Sequence, residues 1–307
     1  MRPVPPRLSW PVPIKRRRDG MEVAMELGRV GIWSIELRSD EPAARPRIAE
    51  AAAELEELGY GAVWLGGNPG VHHARPLLEA TSRLVVATGI LNIWEYEPER
   101  VAEEQTLLAK DHPGRFVLGL GASHGPTIGD RYQRPYTKMI DYLDRLDAAG
   151  SPAAQRVLAA LGPRMLAASR DRAAGAHPYL VTVEHTRSAR EILGPGPVLA
   201  PEVKVVLEDD PSRARAAARA HLERYLRLPN YTGNLLRLGF AEEDFADGGS
   251  DRLLDATFAL GGVDAAVRRV DEHFAAGADH VAVQVITARQ GLPTREWREL
   301  AVLNEIS

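Results

Sequence analysis

The sequence predicts an α/β fold, a single (β/α)8 TIM barrel, and three observations carry that expectation. Eight short apolar runs recur along the chain, most of them lead into a stretch of helical periodicity, and four end in glycine. In such a barrel every strand's C-terminal end faces one mouth, so features that recur at strand ends gather at one site. The 307 residues are ample for the roughly 250 that this architecture needs. No shift in composition follows residue 30, so residues 26–307 read as one barrel domain.

The first run is Val30 to Ser34. From Pro46 the period changes: Ile48, Ala52, Leu55 and Leu58 recur at helical spacing, with Glu50, Glu54 and Glu57 opposite and Gly59 at the capping position. Ala62 to Leu65 is the second strand and opens into Gly66, Gly67 and Asn68. Leu84 to Thr88 is the third, followed by Gly89, Ile90, Leu91 and Asn92. Pro98 then starts a helix with Val101 and Leu108 on its buried side. The fourth strand is Phe116 to Leu120. It has no polar alternation, as a strand buried on both faces reads, and it stops at Gly121 before Ala122, Ser123, His124 and Gly125. Tyr136, Met139, Ile140, Leu143 and Leu146 stripe the next helix.

Val157 to Leu161 is the fifth strand and runs into Gly162, Pro163 and Arg164, where a helix begins. Ala176 to Val181 is a weak sixth strand, broken by Pro178, with Glu184 to Leu193 as its helix. Val203 to Leu207 is the seventh. Pro211 opens a long helix through Tyr225, and Asn230 to Ser250 is an irregular insertion between the seventh and eighth strands. Val263, Ala266, Val267, Val270 and Phe274 form the next helix, and Val281 to Ile286 is the eighth strand.

Composition narrows the function. Hydrophobic residues make up 45% and charged residues 26%, and the formal net charge is -4, so a globular protein with a small-molecule partner is expected and a nucleic-acid surface is not. The absence of cysteine removes disulfides, thiolate metal sites and thiol nucleophiles. With no apolar run long enough to span a bilayer and no signal-peptide core, the sequence predicts a soluble cytoplasmic protein without membrane contact. Residues 1–25 are proline-rich and carry the basic run Lys15 to Arg18; they read as a disordered tail, or as a start placed upstream of Met21 or Met25.

Gly66, Gly89, Gly121 and Gly162 would share the barrel mouth, which suits a flat ligand lying across the strand ends with its phosphate at a helix start. Leu161, Gly162, Pro163 and Arg164 fit the phosphate position best, because a free helix N-terminus offers unpaired N–H groups and the positive end of a dipole. Gly121 to Gly125 also matches the G-x-S-x-G pattern of α/β-hydrolases, which would make Ser123 a nucleophile. That pattern needs a strand-to-helix elbow, and the residues after Gly125 read as loop. The spacing of Gly119, Gly121 and Gly125 is not a dinucleotide fingerprint. His177, with Tyr179 after it, lies at the end of the sixth strand as a substrate contact or a satisfied core histidine. His72 and His73 are adjacent, so their side chains are not expected to converge, and no metal site is expected.

Longer tracts carry a family resemblance. GRVGIWS, ELEELGYGAVWLGG, RLVVATGILNIW, GRFVLGLGASH, PYTKMIDYLDRLD and GADHVAVQV together resemble the luciferase-like monooxygenase superfamily, in particular its deazaflavin-dependent branch, over roughly residues 28–286. The resemblance implies a luciferase-like barrel, usually dimeric, holding coenzyme F-420 (8-hydroxy-5-deazaflavin) at the strand ends, or FMN in some relatives. It implies hydride transfer to or from a small organic substrate, with an FMN-dependent monooxygenase as the alternative. A bulge after the third strand, often with a non-prolyl cis peptide, backs the central ring in the family; Thr88, Gly89 and Ile90 occupy that place, and the fifth-strand turn at Leu161 and Gly162 takes the phosphate. Relatives place histidine, tryptophan or glutamate near the reactive carbon, and only Trp33, Asn92 and His124 are candidates for that duty here, while Ser123 in this reading only lines the cofactor or substrate pocket.

Overall fold

The computed structural model describes residues 26–305, so the expectation of a disordered tail over residues 1–25 lies outside the described residues. Among the described residues the strands are β1 (Val30–Ser34), β2 (Ala62–Leu65), β3 (Val85–Thr88), β4 (Leu91–Asn92), β5 (Phe116–Gly121), β6 (Arg156–Leu158), β7 (Gly175–Ala176), β8 (Val198–Leu199), β9 (Glu202–Leu207), β10 (Phe258–Gly261) and β11 (Val281–Val285). Each pairs in parallel with its neighbours, in the order β10-β9-β11-β1-β2-β3-β5-β6-β7-β8, with β4 beside β5. Helices such as Arg45–Glu57, Pro98–Asp111, Pro135–Ala148 and Val263–Ala275 cover the outside.

The ring closes because β8 and β9, separated by Ala200 and Pro201, run on as one extended stretch. On one side the Ala200 N–H donates to the Ala176 carbonyl at 2.9 Å; on the other the Ala282 N–H donates to the Pro201 carbonyl at 3.0 Å. At the remaining seam the Val281 N–H donates to the Arg29 carbonyl at 3.1 Å and β11 pairs with β1. The eight-stranded barrel expected from the sequence is therefore present. Several features depart from the expectation, among them the fifth strand, which ends at Leu158 and not at Leu161. The sixth strand ends at Ala176, because Pro178 cannot donate to a ladder and Leu180 adopts φ 54°. The seventh begins earlier, at Val198. Finally, β10 adds a strand to the outer flank of β9 after the insertion, a pairing set by tertiary contact that four residues do not announce.

Alternation along each strand sorts the side chains. Val30, Ile32, Val63, Leu65, Val86 and Leu118 point outward into the layer formed with helix residues Leu55, Leu77, Val101 and Leu143. Trp33, Trp64, Ala87, Val117, Val157 and Ala282 point inward and fill the barrel. Burying each of the larger apolar side chains stabilises the fold by roughly 1.5–3 kcal/mol.

Between β3 and β5 the ladder breaks after Ala87↔Val117 and resumes as Leu91↔Leu120. Thr88 spans the gap: its Oγ1 donates to the Gly119 carbonyl at 2.7 Å and accepts from the Gly119 N–H at 2.8 Å. Thr88→Val keeps the shape but leaves both backbone groups buried without a partner. A loss of about 1–3 kcal/mol is expected, read as a lower denaturant midpoint; an unchanged midpoint would show that the bridge contributes nothing.

Candidate functional site

The gap that Thr88 bridges holds the Gly89–Ile90 peptide, which is cis, as the resemblance implies. Around it the glycines make room for the protein's own side chains. A Cβ on Gly66 would lie 2.3 Å from the Trp33 ring, one on Gly89 2.9 Å from Trp33 Nε1, and one on Gly121 2.4 Å from Ile90 Cδ1. At Gly66 and Gly121, expected to leave room for a ligand, the space a Cβ would take is filled by Trp33 and Ile90. Trp33 Nε1 donates to the Gly89 carbonyl at 3.1 Å, so its one N–H is already engaged. Asn92 is buried, and its Oδ1 accepts the Trp94 N–H at 3.2 Å within its own turn. Of the three candidates for proton handling, Trp33 and Asn92 hold the bulge together.

His124 differs. Its Nδ1 lies 3.0 Å from Asn230 Oδ1, and because an amide oxygen only accepts, Nδ1 carries the proton and Nε2 keeps its lone pair. The ring stands 5.3 Å from that of Tyr231. Burial holds the imidazole pKa below its usual value, with the Asn230 hydrogen bond opposing, so the ring is neutral near pH 7. Ser123, one residue earlier, has φ 56°, the left-handed turn a nucleophile elbow would need. Yet among the described residues no histidine hydrogen-bonds its Oγ, and His124 is committed to Asn230. The helix after it, Gly125–Ile128, is a single turn.

Asn230 and Tyr231 come from the insertion, on the helix Pro229–Arg237. The other end of that helix reaches the turn after β6. Gly162 is the N-cap of helix Pro163–Arg172, and Arg237 is the one heavy-atom neighbour that a Cβ there would meet, at 3.7 Å. Arg164, expected at this position, instead lays its guanidinium over the Tyr136 ring at 4.2 Å. The Leu161 carbonyl accepts from His185 Nε2 at 2.9 Å. One nine-residue helix therefore joins the β5 and β6 loops across the mouth.

His177 is enclosed: it stacks on Trp64 with centroids 4.1 Å apart, donates from Nδ1 to the Ala200 carbonyl at 2.7 Å and is 1% exposed. Burial drives its pKa down to about 3. Of its two sequence readings this burial matches the core histidine; Tyr179, the other substrate candidate, is held by hydrogen bonds of its own. The Tyr179 hydroxyl donates to Gln284 Oε1 at 2.8 Å and lies 2.7 Å from the Tyr225 hydroxyl, to which Arg224 donates at 2.9 Å. Beneath the Tyr179 ring, at 3.8 Å, sits Lys204 Nζ, paired at 2.6 Å with Glu202, both fully buried. Beside this chain a cavity of about 130 Å³ opens between the ends of β1 and β11, lined by Trp33, Glu36, His221, Arg224 and Gln284.

Two kinds of comparison bear on this arrangement. Residues 25–150 match the model of the luciferase-like monooxygenase family, the stretch that contains Trp33, the cis peptide and His124. Over that stretch the chain is similar to the luciferase-like monooxygenase family. No curated protein matches the sequence. The luciferase-like barrel is similar to solved structures at low identity. One is an F-420-dependent secondary alcohol dehydrogenase in complex with an F-420–acetone adduct, with 12% identity, TM-score 0.70 and coverage of 90% of this chain and 98% of that one. A second is the coenzyme F-420-dependent tetrahydromethanopterin reductase of Methanopyrus kandleri, at 15%, 0.70, 90% and 97%. A third is the oxygenating constituent of 3,6-diketocamphane monooxygenase from Pseudomonas putida in complex with FMN, at 12%, 0.66, 91% and 97%.

Against this luciferase-like frame, sequence reasoning missed Arg237, Asn230, Tyr225 and the Glu202–Lys204 pair. The last had a legible signal. In EVKVVL the two charges alternate with valines, and in a barrel strand that alternation puts both charges inside. The insertion residues gave no such sign, because their position depends on how the insertion folds back over the mouth. Among the described residues no helix is long and apolar enough to cross a membrane.

Proposed function

We propose that the protein is an oxidoreductase that moves a hydride between coenzyme F-420 and a small organic substrate, with FMN as the alternative cofactor. The observation that carries this reading is the helix Pro229–Arg237, which sets Asn230 on His124 and Arg237 beside Gly162. The residues present fit an anionic, phosphate-bearing group at Gly162. The space beyond its backbone is bounded by a guanidinium, and the helix Pro163–Arg172 presents the positive end of its dipole there. Bound with its phosphate at this turn, the deazaflavin would supply the hydride chemistry at its C5.

The chain's own residues then divide the remaining work. Trp33 and Ile90, fixed around Gly66, Gly89 and Gly121, wall the ring position. Neutral His124 offers Nε2 to take or hold the substrate's proton, with Asn230 fixing the tautomer. Gln284 presents a polar edge to the substrate from the cavity side, held by the Tyr179 hydroxyl behind it. A homodimer in the cytoplasm belongs to the same proposal.

The test is absorbance titration of the purified protein with F-420 and with FMN. F-420 is expected to bind more tightly; tight FMN binding without F-420 binding would sink the cofactor assignment. Gly162→Glu brings a carboxylate to the phosphate position and is expected to abolish binding while the circular dichroism spectrum stays that of a folded barrel. Unchanged affinity in that variant would place the phosphate elsewhere.

A further inference from the structure

The loops that follow β1 and β2 carry a second cluster. His72 and His73 lie on the 3-10 turn Val71–Ala74. The expectation that adjacent histidines point apart fails here: their ring centroids are 4.0 Å apart, and both Nε2 atoms face one carboxylate oxygen. Asp40 Oδ1 is 3.0 Å from His73 Nε2 and 3.3 Å from His72 Nε2. The three ligand-type atoms lie within 4.8 Å of one another.

We infer that Asp40, His72 and His73 form a binding site for a divalent transition-metal cation of the zinc class, with its fourth position open to water. Two imidazoles and one carboxylate are the donor types zinc accepts, whereas magnesium and calcium favour all-oxygen sets. The spacing agrees as well. Ligand bonds of about 2.0–2.2 Å in a tetrahedron hold neighbouring donor atoms roughly 3.3–3.6 Å apart, close to the separations already present between the carboxylate and each ring.

The surroundings support ligation. His73 is 5% exposed; its Nδ1 accepts the Gly70 N–H at 3.0 Å and lies 3.3 Å from the Gly70 carbonyl, so ligation through Nε2 moves the ring proton to Nδ1, where that carbonyl is the acceptor within reach. Arg38, the neighbouring cation, is drawn off to donate to the Gly66 carbonyl at 2.9 Å. Asp40 and His72 are exposed, so a hydrated ion has access. A cation bound there would tie the loop after β1, which carries Ile35 and Glu36 of the mouth cavity, to the loop after β2. The inference is independent of the cofactor proposal.

The experiment is calorimetric titration of chelator-treated, full-length protein with Zn2+, beside His72→Gln and Asp40→Asn, both changes at exposed positions. Wild type is expected to bind one equivalent and to melt several degrees higher with excess zinc. Each variant is expected to bind about tenfold or more weakly, with its metal-free melting temperature unchanged. Co2+ in place of zinc should give visible bands of tetrahedral intensity in wild type alone. Absence of a one-equivalent isotherm, or equal zinc affinity in wild type and both variants, would overturn the site.

Discussion

Lys204→Met is expected to lower the stability of the barrel by about 3–5 kcal/mol, the scale for breaking a buried ion pair from one side. Glu202 and Lys204 are both fully buried, 2.6 Å apart. Desolvation pushes the carboxyl pKa up and the ammonium pKa down, and the mutual attraction opposes both shifts. With the ammonium gone, the carboxylate keeps the Leu180 N–H at 3.2 Å as its partner and must otherwise be protonated or stay uncompensated. The double variant Glu202→Leu/Lys204→Met removes both charges and is expected to recover most of the loss, because the cost lies in the orphaned charge more than in the missing attraction. Denaturant midpoints of the two single variants and the double variant decide it. Additive losses would mean that the two groups do not act as a pair.

The second large effect concerns rate. His124→Ala is expected to keep cofactor affinity and to slow hydride transfer, followed at the bound cofactor's absorption band, by about a hundredfold. Ser123→Ala is expected to keep both. The pH profile adds a sign. Burial holds the His124 pKa below its ordinary value, so its neutral, proton-accepting form persists as pH falls through 6.5. Wild-type rate should therefore stay level across that point and decline only at lower pH, and His124→Ala should lack the declining limb. Equal, near-normal rates in both variants would strip His124 of its role; ester hydrolysis lost in Ser123→Ala would restore the hydrolase reading.

The barrel was legible because its strands are buried on both faces and their apolar runs stand out whatever they pair with. So was the bulge after the third strand, where Thr88, Gly89 and Ile90 fall in an ordered family tract. The meaning of the glycines was less legible. Seen in sequence, Gly66 and Gly121 leave a gap for any occupant, and the structure fills that gap with Trp33 and Ile90. Arg164 and Arg237 illustrate the same limit: proximity in sequence favoured the first, while the fold of the insertion brought the second to Gly162. The convergence of His72 and His73 was hidden for a local reason, since i and i+1 side chains meet only when the backbone turns tightly between them.

The seam between β1 and β11 has a consequence in time. The hydrogen bond from Val281 to Arg29 joins residues about 250 positions apart in sequence, and contacts of such separation carry a high loop-closure entropy and form slowly. Synthesis from the N-terminus delivers β11 after the other strands among the described residues, so a nascent chain must hold the inner edge of β1 open until β11 leaves the ribosome. Trp33 and Gln284, which line the same cavity, belong to those two strands. The cavity thus comes into existence only with the last stroke of assembly, and a truncated chain has no half-built version of it to offer a ligand.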